Sequence, residues 1–185
     1  MTPHENASAA SRLCSTCGMC CNGVMFHTVR LQPSDSAKEL AALGLKLKRK
    51  KGENYILQPC PAFRGSHCSI YMARPERCRV FECRQLKRNS TGECTETMAQ
   101  EKILEAQRRV AEVADLLERA GGASIKKPLS KRCEKVMAEP LDPSSDPAAV
   151  ELRSQLTQAM RELDAFLDEE FRLPPSEPAD QIAKS

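Results

Sequence analysis

The chain has 185 residues, enough for one domain and an appendage. It carries 28 Lys and Arg against 25 Asp and Glu, a balance too even to indicate a nucleic-acid-binding protein. No apolar run approaches the roughly 18 residues of a membrane span, and the start lacks the apolar segment of a signal peptide. We therefore expect a soluble protein, and ten cysteines without a signal sequence favour the reducing cytoplasm.

A dense cysteine block follows a polar lead over residues 1–12, which we expect to be flexible. Between Cys14 and Cys21 the chain reads Cys-Ser-Thr-Cys-Gly-Met-Cys-Cys, and a C-x2-C pair directs two thiolates at one metal ion. Cys20 extends the pattern to C-x2-C-x2-C, and Cys60-Pro61 supplies a distant Cys-Pro as in bacterial four-iron clusters. Because adjacent side chains diverge, Cys20 and Cys21 are expected to serve different sites or different irons.

The segment between the cysteine blocks predicts a strand, a short helix and a hairpin. The strand covers residues 24–31, and the helix has a capping box at Ser36 and Glu39 and ends at Gly44. The hairpin runs over residues 45–57 and turns near Gly52. Its basic run, residues 46–51, is interpreted as a solvated tip and not as a phosphate contact, since no aromatic side chains are interleaved.

A second block contains Cys60, Cys68, Cys78 and Cys83, and Pro75 is suited to begin a helix carrying the last two. The arginines around it are expected to offset the charge of a thiolate–metal centre, an interpretation favoured over an anion site. His27 and His67 are weaker ligand candidates, and Cys94 and Cys133 are expected to be free thiols. The predicted metal ligands are Cys14, Cys17, Cys20, Cys21, Cys60, Cys68, Cys78 and Cys83.

Two long amphipathic helices are predicted after the cysteine region. The first has a capping box at Thr97 and Gln100 and ends at Gly121-Gly122, and the second begins at Asp146-Pro147. We expect their apolar stripes to pair as a helical hairpin or to dock on the cysteine domain. A stripe left exposed would permit dimerisation or recruitment of a protein partner.

The predicted fold class is α+β, mainly α. A small metal-nucleated domain with a short β-hairpin over residues 13–94 precedes a helical extension over 95–172 and a disordered tail over 173–185. The whole chain has only two Tyr, five Phe and no Trp, so the cysteine domain has few large side chains for a core. Metal binding is therefore expected to supply folding free energy.

The cysteine region resembles the YkgJ family, whose CxxCxxCC domain is associated with zinc or iron chelation. The elements that carry the resemblance cover roughly residues 13–84, and they are Cys14-x2-Cys17-Gly18-x-Cys20-Cys21, Cys60-Pro61, Cys68-Ser69-Ile70-Tyr71, Arg74-Pro75 and Cys78-Arg79-x-Phe81. The resemblance implies metal binding by the matching cysteines, as an iron–sulfur cluster or zinc. Relatives are often labelled oxidoreductases, and the domain also occurs in flagellin lysine N-methylases. Ala62-Phe63 departs from the Phe-Leu that many relatives carry after Cys-Pro.

Three functions remain open from the sequence. The chain is an iron–sulfur protein with a redox or accessory role, a zinc-stabilised module that recruits a partner, or a factor in protein lysine N-methylation. No nucleotide-binding glycine loop, H-E-x-x-H helix or supported Ser-His-Asp arrangement is present, so no activity is assigned. Visible colour separates the first two, because iron–sulfur clusters absorb visible light and zinc thiolates do not.

Overall fold

The computed structural model describes residues 8–65, 67–122, 126–141 and 146–174. More than half of the chain is helical and about a tenth is strand, which confirms the predicted mainly α, α+β class. The helices are α1 (Ala9–Cys17), α2 (Ala37–Ala42), α3 (Glu76–Val80), α4 (Arg84–Ser90), α5 (Glu96–Arg119), α6 (Leu129–Ala138) and α7 (Pro147–Glu170), with a 3₁₀ turn at Tyr71–Ala73. The strands are β1 (Thr28–Arg30), β2 (Leu47–Lys50), β3 (Glu53–Leu57), β4 (Phe63–Arg64) and β5 (His67–Cys68).

Helix α1 begins earlier than the predicted flexible lead allows. The Ser8 hydroxyl accepts a hydrogen bond from the Ser11 amide at 3.2 Å and so caps the helix. Leu13, only 1% exposed, anchors the same helix in the core. Residues 9–12 are therefore helical, and residues 1–7 of the predicted lead lie outside the described residues.

A three-stranded antiparallel sheet contains the predicted hairpin, and its strand order is β1-β3-β2. Ile56 pairs with Val29 on one side and with Leu47 on the other, and all three pack in a small core with Leu40 and Leu45. This confirms the hairpin and adds β1 as a third strand. The expected strand over 24–31 shortens to Thr28–Arg30, because the chain before it turns back through bonds such as Met25 N to Met19 O.

Capping predictions for α2 and α7 are confirmed. Ser36 accepts from the Glu39 amide, and Asp146 accepts from the Ala149 amide in front of Pro147. Helix α5 begins two residues before the predicted box, because Thr95 accepts from the Met98 amide and becomes the cap.

Helices α5 and α7 pair along their apolar stripes and form the main core of the molecule. Leu13 and Met19 of the cysteine region lie in this same core with Leu117, Leu163 and Phe171. The first cysteine block and the helical region thus share one core across the predicted boundary at residues 94 and 95. The tail predicted over 173–185 lies outside the described residues apart from Leu173 and Pro174.

Candidate metal centre

The first cysteine block lies at the C-terminal end of α1. Cys14 and Cys17 are in the helix, which ends at Gly18 in the left-handed conformation (φ 67°). The turn that follows is closed by the Cys21 and Asn22 amides, which both donate to the Gly18 carbonyl at 2.9 Å. Gln107 of α5 donates to the Thr16 and Cys17 carbonyls at 2.8 and 3.1 Å, so the block is fastened to the long helix.

Gly18 is required at this turn for two physical reasons. A positive φ disfavours any residue with a Cβ, and a Cβ built here would lie 2.5 Å from Phe63 Cζ. Phe63 belongs to β4, which lies in the second cysteine block, and its ring packs directly on the backbone of Gly18. The glycine therefore allows the two cysteine blocks to approach each other.

Four thiols form what we call the first set: Cys14, Cys17, Cys20 and Cys83. Burial raises the pKa of Cys17 to about 12, helped by the charges that Cys83 and Cys14 would carry, while the Met19 amide opposes it. Burial also raises the pKa of Cys20 well above its usual range, with Cys17, Cys14 and Cys83 adding to the effect. Cys17 and Cys83 of this set also pack against the main core.

The other four cysteines form the second set: Cys21, Cys60, Cys68 and Cys78. Burial raises the pKa of Cys21 to about 12, and the charges of Cys60, Cys68 and Cys78 raise it further. Burial likewise raises the pKa of Cys78 to about 12. The backbone supports this grouping, since the Cys60 amide donates to the Cys21 carbonyl at 2.7 Å.

We assign adjacent Cys20 and Cys21 to different sets because neighbouring side chains diverge, and that they serve different centres stays a prediction. The two sets adjoin each other, since the charge of Cys21 raises the pKa of Cys20 and the charge of Cys14 raises the pKa of Cys21. We assign Cys60 to the set of Cys21, because the Cys60 amide donates to the Cys21 carbonyl, and we assign Cys83 as the remote member beside Cys17 and Cys20. The expected single helix carrying Cys78 and Cys83 is divided in two. Cys78 lies in α3, whereas Cys83 is the N-cap of α4.

Arg74 is the arginine that contacts a cysteine. Its guanidinium lies 3.6 Å from the centre of the Tyr71 ring, donates to the Tyr71 carbonyl at 2.9 Å and approaches Cys14 Sγ at 3.9 Å. Its positive charge lowers the pKa of both Cys14 and Cys78, although burial is the larger influence and leaves both pKa values raised. One arginine thus offsets negative charge in both sets, as expected for a thiolate centre. The Tyr71–Arg74 stack was not predicted, because the sequence gives no sign of how a tyrosine three residues away will fold back.

Asp35 is a second residue that sequence reasoning missed at this site. Its carboxylate accepts from the Glu76 amide at 2.8 Å and from the Gln32 amide at 2.8 Å. It thereby satisfies the beginning of α3, where Pro75 offers no side-chain cap. Asp35 holds the helix that carries Cys78 against the turn before α2.

Of the remaining candidates, His67 directly precedes Cys68 of the second set in β5. His27 Nε2 is 2.8 Å from Ser130 Oγ at the start of α6, and His67 is exposed in β5. Cys133 is buried in the main core and Cys94 packs against it. All ten cysteines are free thiols, so no disulfide competes with metal binding.

Two surface clefts lie in the cysteine region. One of about 250 Å³ is lined by Cys17, Met19, Asn22, Phe63 and Gln107, among others. Another of about 160 Å³ is lined by residues that include Asp35, Glu39, Arg74 and Arg79. The first cleft therefore gives solvent access to the first set at Cys17, and the second is lined by Arg74, which approaches Cys14.

The donor chemistry fits a soft metal, although the side chains are not closed around one. Within the described ranges, no group of three or more His, Cys, Asp or Glu side chains is arranged to hold a metal ion. Eight sulfurs in two sets of four nevertheless match the ligand number and type of zinc–thiolate and iron–sulfur sites. Ionising these buried, neighbouring thiols without a cation is costly, as their raised pKa values show. A bound metal removes that cost.

Both the fold and these two sets define a cysteine-rich metal-chelating domain. Residues 13–97 match the family model CxxCxxCC, described as a "Putative zinc- or iron-chelating domain". Residues 13–97, which include all eight cysteines of the two sets, are thus similar to this domain. No curated protein and no solved structure matches the chain. Across the described residues, no helix has both the length and the apolar character needed to cross a membrane.

Proposed function

We propose that this protein is an iron–sulfur protein in which the first set, Cys14, Cys17, Cys20 and Cys83, holds a four-iron cluster. The observation that carries the proposal is the membership of that set. We assign the C-x2-C-x2-C run and the remote Cys83 to one centre, and Cys21, whose carbonyl accepts from the Cys60 amide at 2.7 Å, to the other. In two-cluster ferredoxins the fourth cysteine of such a run likewise serves the other centre.

The surroundings of the first set suit a redox centre. Cys17 and Cys83 are partly buried against the main core, where a low dielectric strengthens every nearby charge. Arg74 places a positive charge beside Cys14, which favours the more negative, reduced state and raises the reduction potential. When bound, the cluster supplies one-electron chemistry. Because four thiolates leave no open coordination position, electron transfer or an accessory role is favoured over catalysis at the metal.

The second set, Cys21, Cys60, Cys68 and Cys78, suits a four-thiolate zinc site that stabilises the loops. Its members come from a turn, from two loop or short-strand positions and from α3, so one ion would connect segments that lack a large core. The same feature supports a second candidate function, in which both sets hold zinc and the domain is a binding module. Four sulfurs in each set satisfy tetrahedral zinc equally well.

Anaerobic purification followed by metal, sulfide and spectroscopic measurements tests the proposal. We expect a brown protein with about four irons and about four acid-labile sulfides per chain, bleached by reductant. Cys17→Ser should lose iron and sulfide, whereas Cys133→Ser, outside both sets, should retain them. A colourless, sulfide-free protein with about two zinc ions per chain would contradict the iron–sulfur proposal and support the binding module.

A further inference from the structure

The three-stranded sheet presents a face that points away from its core. Directly opposite residues on neighbouring strands share a face of the sheet. Val29, Ile56 and Leu47 form one such row and pack in the small core. The next row, in which Tyr55 lies between Arg30 and Lys48, must therefore face outward.

The outward face is basic and includes Lys48 and Lys50 of β2, whereas Arg49, opposite Asn54, lies on the other face. Five of the six residues from Lys46 to Lys51 are cationic, and all five are exposed. No ion pair joins any of them to a carboxylate in the part of the chain that the structure describes. Glu53, the residue opposite Lys50, instead binds Arg30 at 2.7 Å.

Apolar surface accompanies these charges. Tyr55 is half-buried between its two cationic neighbours, and Leu57, two residues along the same strand, is 45% exposed on the same face. Arg30, Lys48, Lys50 and Tyr55 are called the basic sheet face below. An aromatic ring within a row of cations offers a base a stacking surface next to charges that attract phosphate.

We propose that the basic sheet face binds single-stranded nucleic acid. One base stacks on Tyr55, and Lys48, Lys50 and the neighbouring lysines contact the backbone phosphates. A duplex is disfavoured, because stacking on a flat ring needs a base that is free of its partner strand. No base-edge contact is part of the proposal, so binding is expected to depend little on sequence and strongly on salt.

This inference reverses the expectation drawn from the sequence. The basic run alone was interpreted as a solvated tip, because no aromatic residue is interleaved with it. Tyr55 lies seven residues beyond Lys48 along the chain, and only the register of β2 and β3 brings the two side by side. A second explanation of these lysines is that charges on an edge strand hinder its pairing with the edge strand of another sheet. That role does not require a tyrosine beside the lysines.

Fluorescence anisotropy tests the proposal on the full chain purified anaerobically with its metal. The probes are labelled oligouridine RNA and oligothymidine DNA of about 12 nucleotides, titrated at several salt concentrations. The double variant Lys48→Ala/Lys50→Ala should lower the slope of log affinity against log salt by about 1.4, or about 0.7 for each lost phosphate contact. The control Lys126→Ala/Lys127→Ala removes the same charge from exposed lysines outside the sheet and should leave the slope unchanged.

Tyr55 variants separate stacking from general polyanion attraction. Tyr55→Ala should weaken binding by about fivefold or more, whereas Tyr55→Phe keeps the ring and should stay within about twofold. A second readout does not depend on the folding of Tyr55→Ala. The chain has two Tyr and no Trp, so in a Tyr71→Phe background the fluorescence of Tyr55 should be quenched when oligonucleotide binds.

Absence of binding to both probes would overturn the proposal. Binding that is indifferent to Tyr55→Ala and leaves Tyr55 fluorescence unchanged would also overturn it, since that result describes charge attraction alone. Vesicles containing phosphatidylserine serve as the other anionic probe. Their capture through Lys48 and Lys50, without oligonucleotide binding, would assign the face to a membrane surface and refute a nucleic-acid site.

Discussion

Gly18 offers a quantitative test of how closely the two cysteine blocks pack. In Gly18→Ala the new residue must adopt a positive φ of 67°, which costs an L-residue about 1–2 kcal/mol. The added Cβ would also lie 2.5 Å from Phe63 Cζ and 2.8 Å from Cε2, and relieving such overpacking typically costs a further ~1–3 kcal/mol. We therefore expect Gly18→Ala to lower the free energy of unfolding by about 2–5 kcal/mol.

Gly121 provides the matched control, because it also follows a helix and has a positive φ of 81°. A Cβ at Gly121 would meet nothing within 4 Å, so Gly121→Ala should cost only the conformational part. Urea unfolding of the metal-loaded variants, followed by circular dichroism, measures both values. Truncation of the ring in a Gly18→Ala/Phe63→Leu double variant should recover part of the loss. Equal costs at Gly18 and Gly121 would show that Phe63 does not press on the turn, and would refute this account of the packing.

Three further predictions concern the buried polar groups and the metal. Burial raises the pKa of the Glu170 carboxyl, but the hydrogen bond and charge of Lys102, with Arg88, outweigh burial and leave that pKa lowered. The ionised Glu170 therefore stabilises the fold above its unfolded pKa of about 4.3. Glu170→Gln should lower the free energy of unfolding by about 1–3 kcal/mol at pH 7. In urea titrations, this difference between variant and wild type should shrink as the pH falls below about 4. The side chain of Gln58 is buried, and its Oε1 atom has no hydrogen-bond partner among the described residues. Gln58→Met removes this unsatisfied atom and should raise the free energy of unfolding by about 1 kcal/mol. A loss of stability would show that Oε1 has an unrecognised partner. Removing the metal should expose the amides of residues 18–28 and 58–83 to hydrogen exchange, while the amides of α5 and α7 stay protected. Protection of residues 18–28 and 58–83 in the metal-free protein would contradict a structural role for the metal.

Local patterns in the sequence predicted those elements that local chemistry determines. Ser36 with Glu39 and Asp146 with Pro147 marked helix starts correctly, because a cap satisfies amides only three residues away. The same reasoning missed Ala9 as the start of α1, since the burial of Leu13 beneath α5 and α7 stabilises that turn from far along the chain.

The candidate site shows the same division between local and tertiary information. Spacing alone singled out the eight cysteines, and it predicts that Cys20 and Cys21 serve different sites. Spacing could not reveal that Cys83 is grouped with Cys17 and Cys60 with Cys21. Those groupings depend on how the segment over residues 58–83 folds back on α1. Tyr55 beside Lys48 is likewise a product of strand register and cannot be found by composition.

The most direct test of two separate four-thiol sets is the metal content of two variants, Cys20→Ala and Cys21→Ala, which change neighbouring residues. Both are measured on anaerobically purified protein by elemental and acid-labile sulfide analysis, with Cys133→Ala as the control outside both sets. The account predicts that Cys20→Ala loses the iron and sulfide of the first set and keeps the metal of the second, whereas Cys21→Ala loses the second metal and keeps the cluster. Identical losses of the same metal in both variants would contradict the division, because they would place two neighbouring sulfurs on one centre.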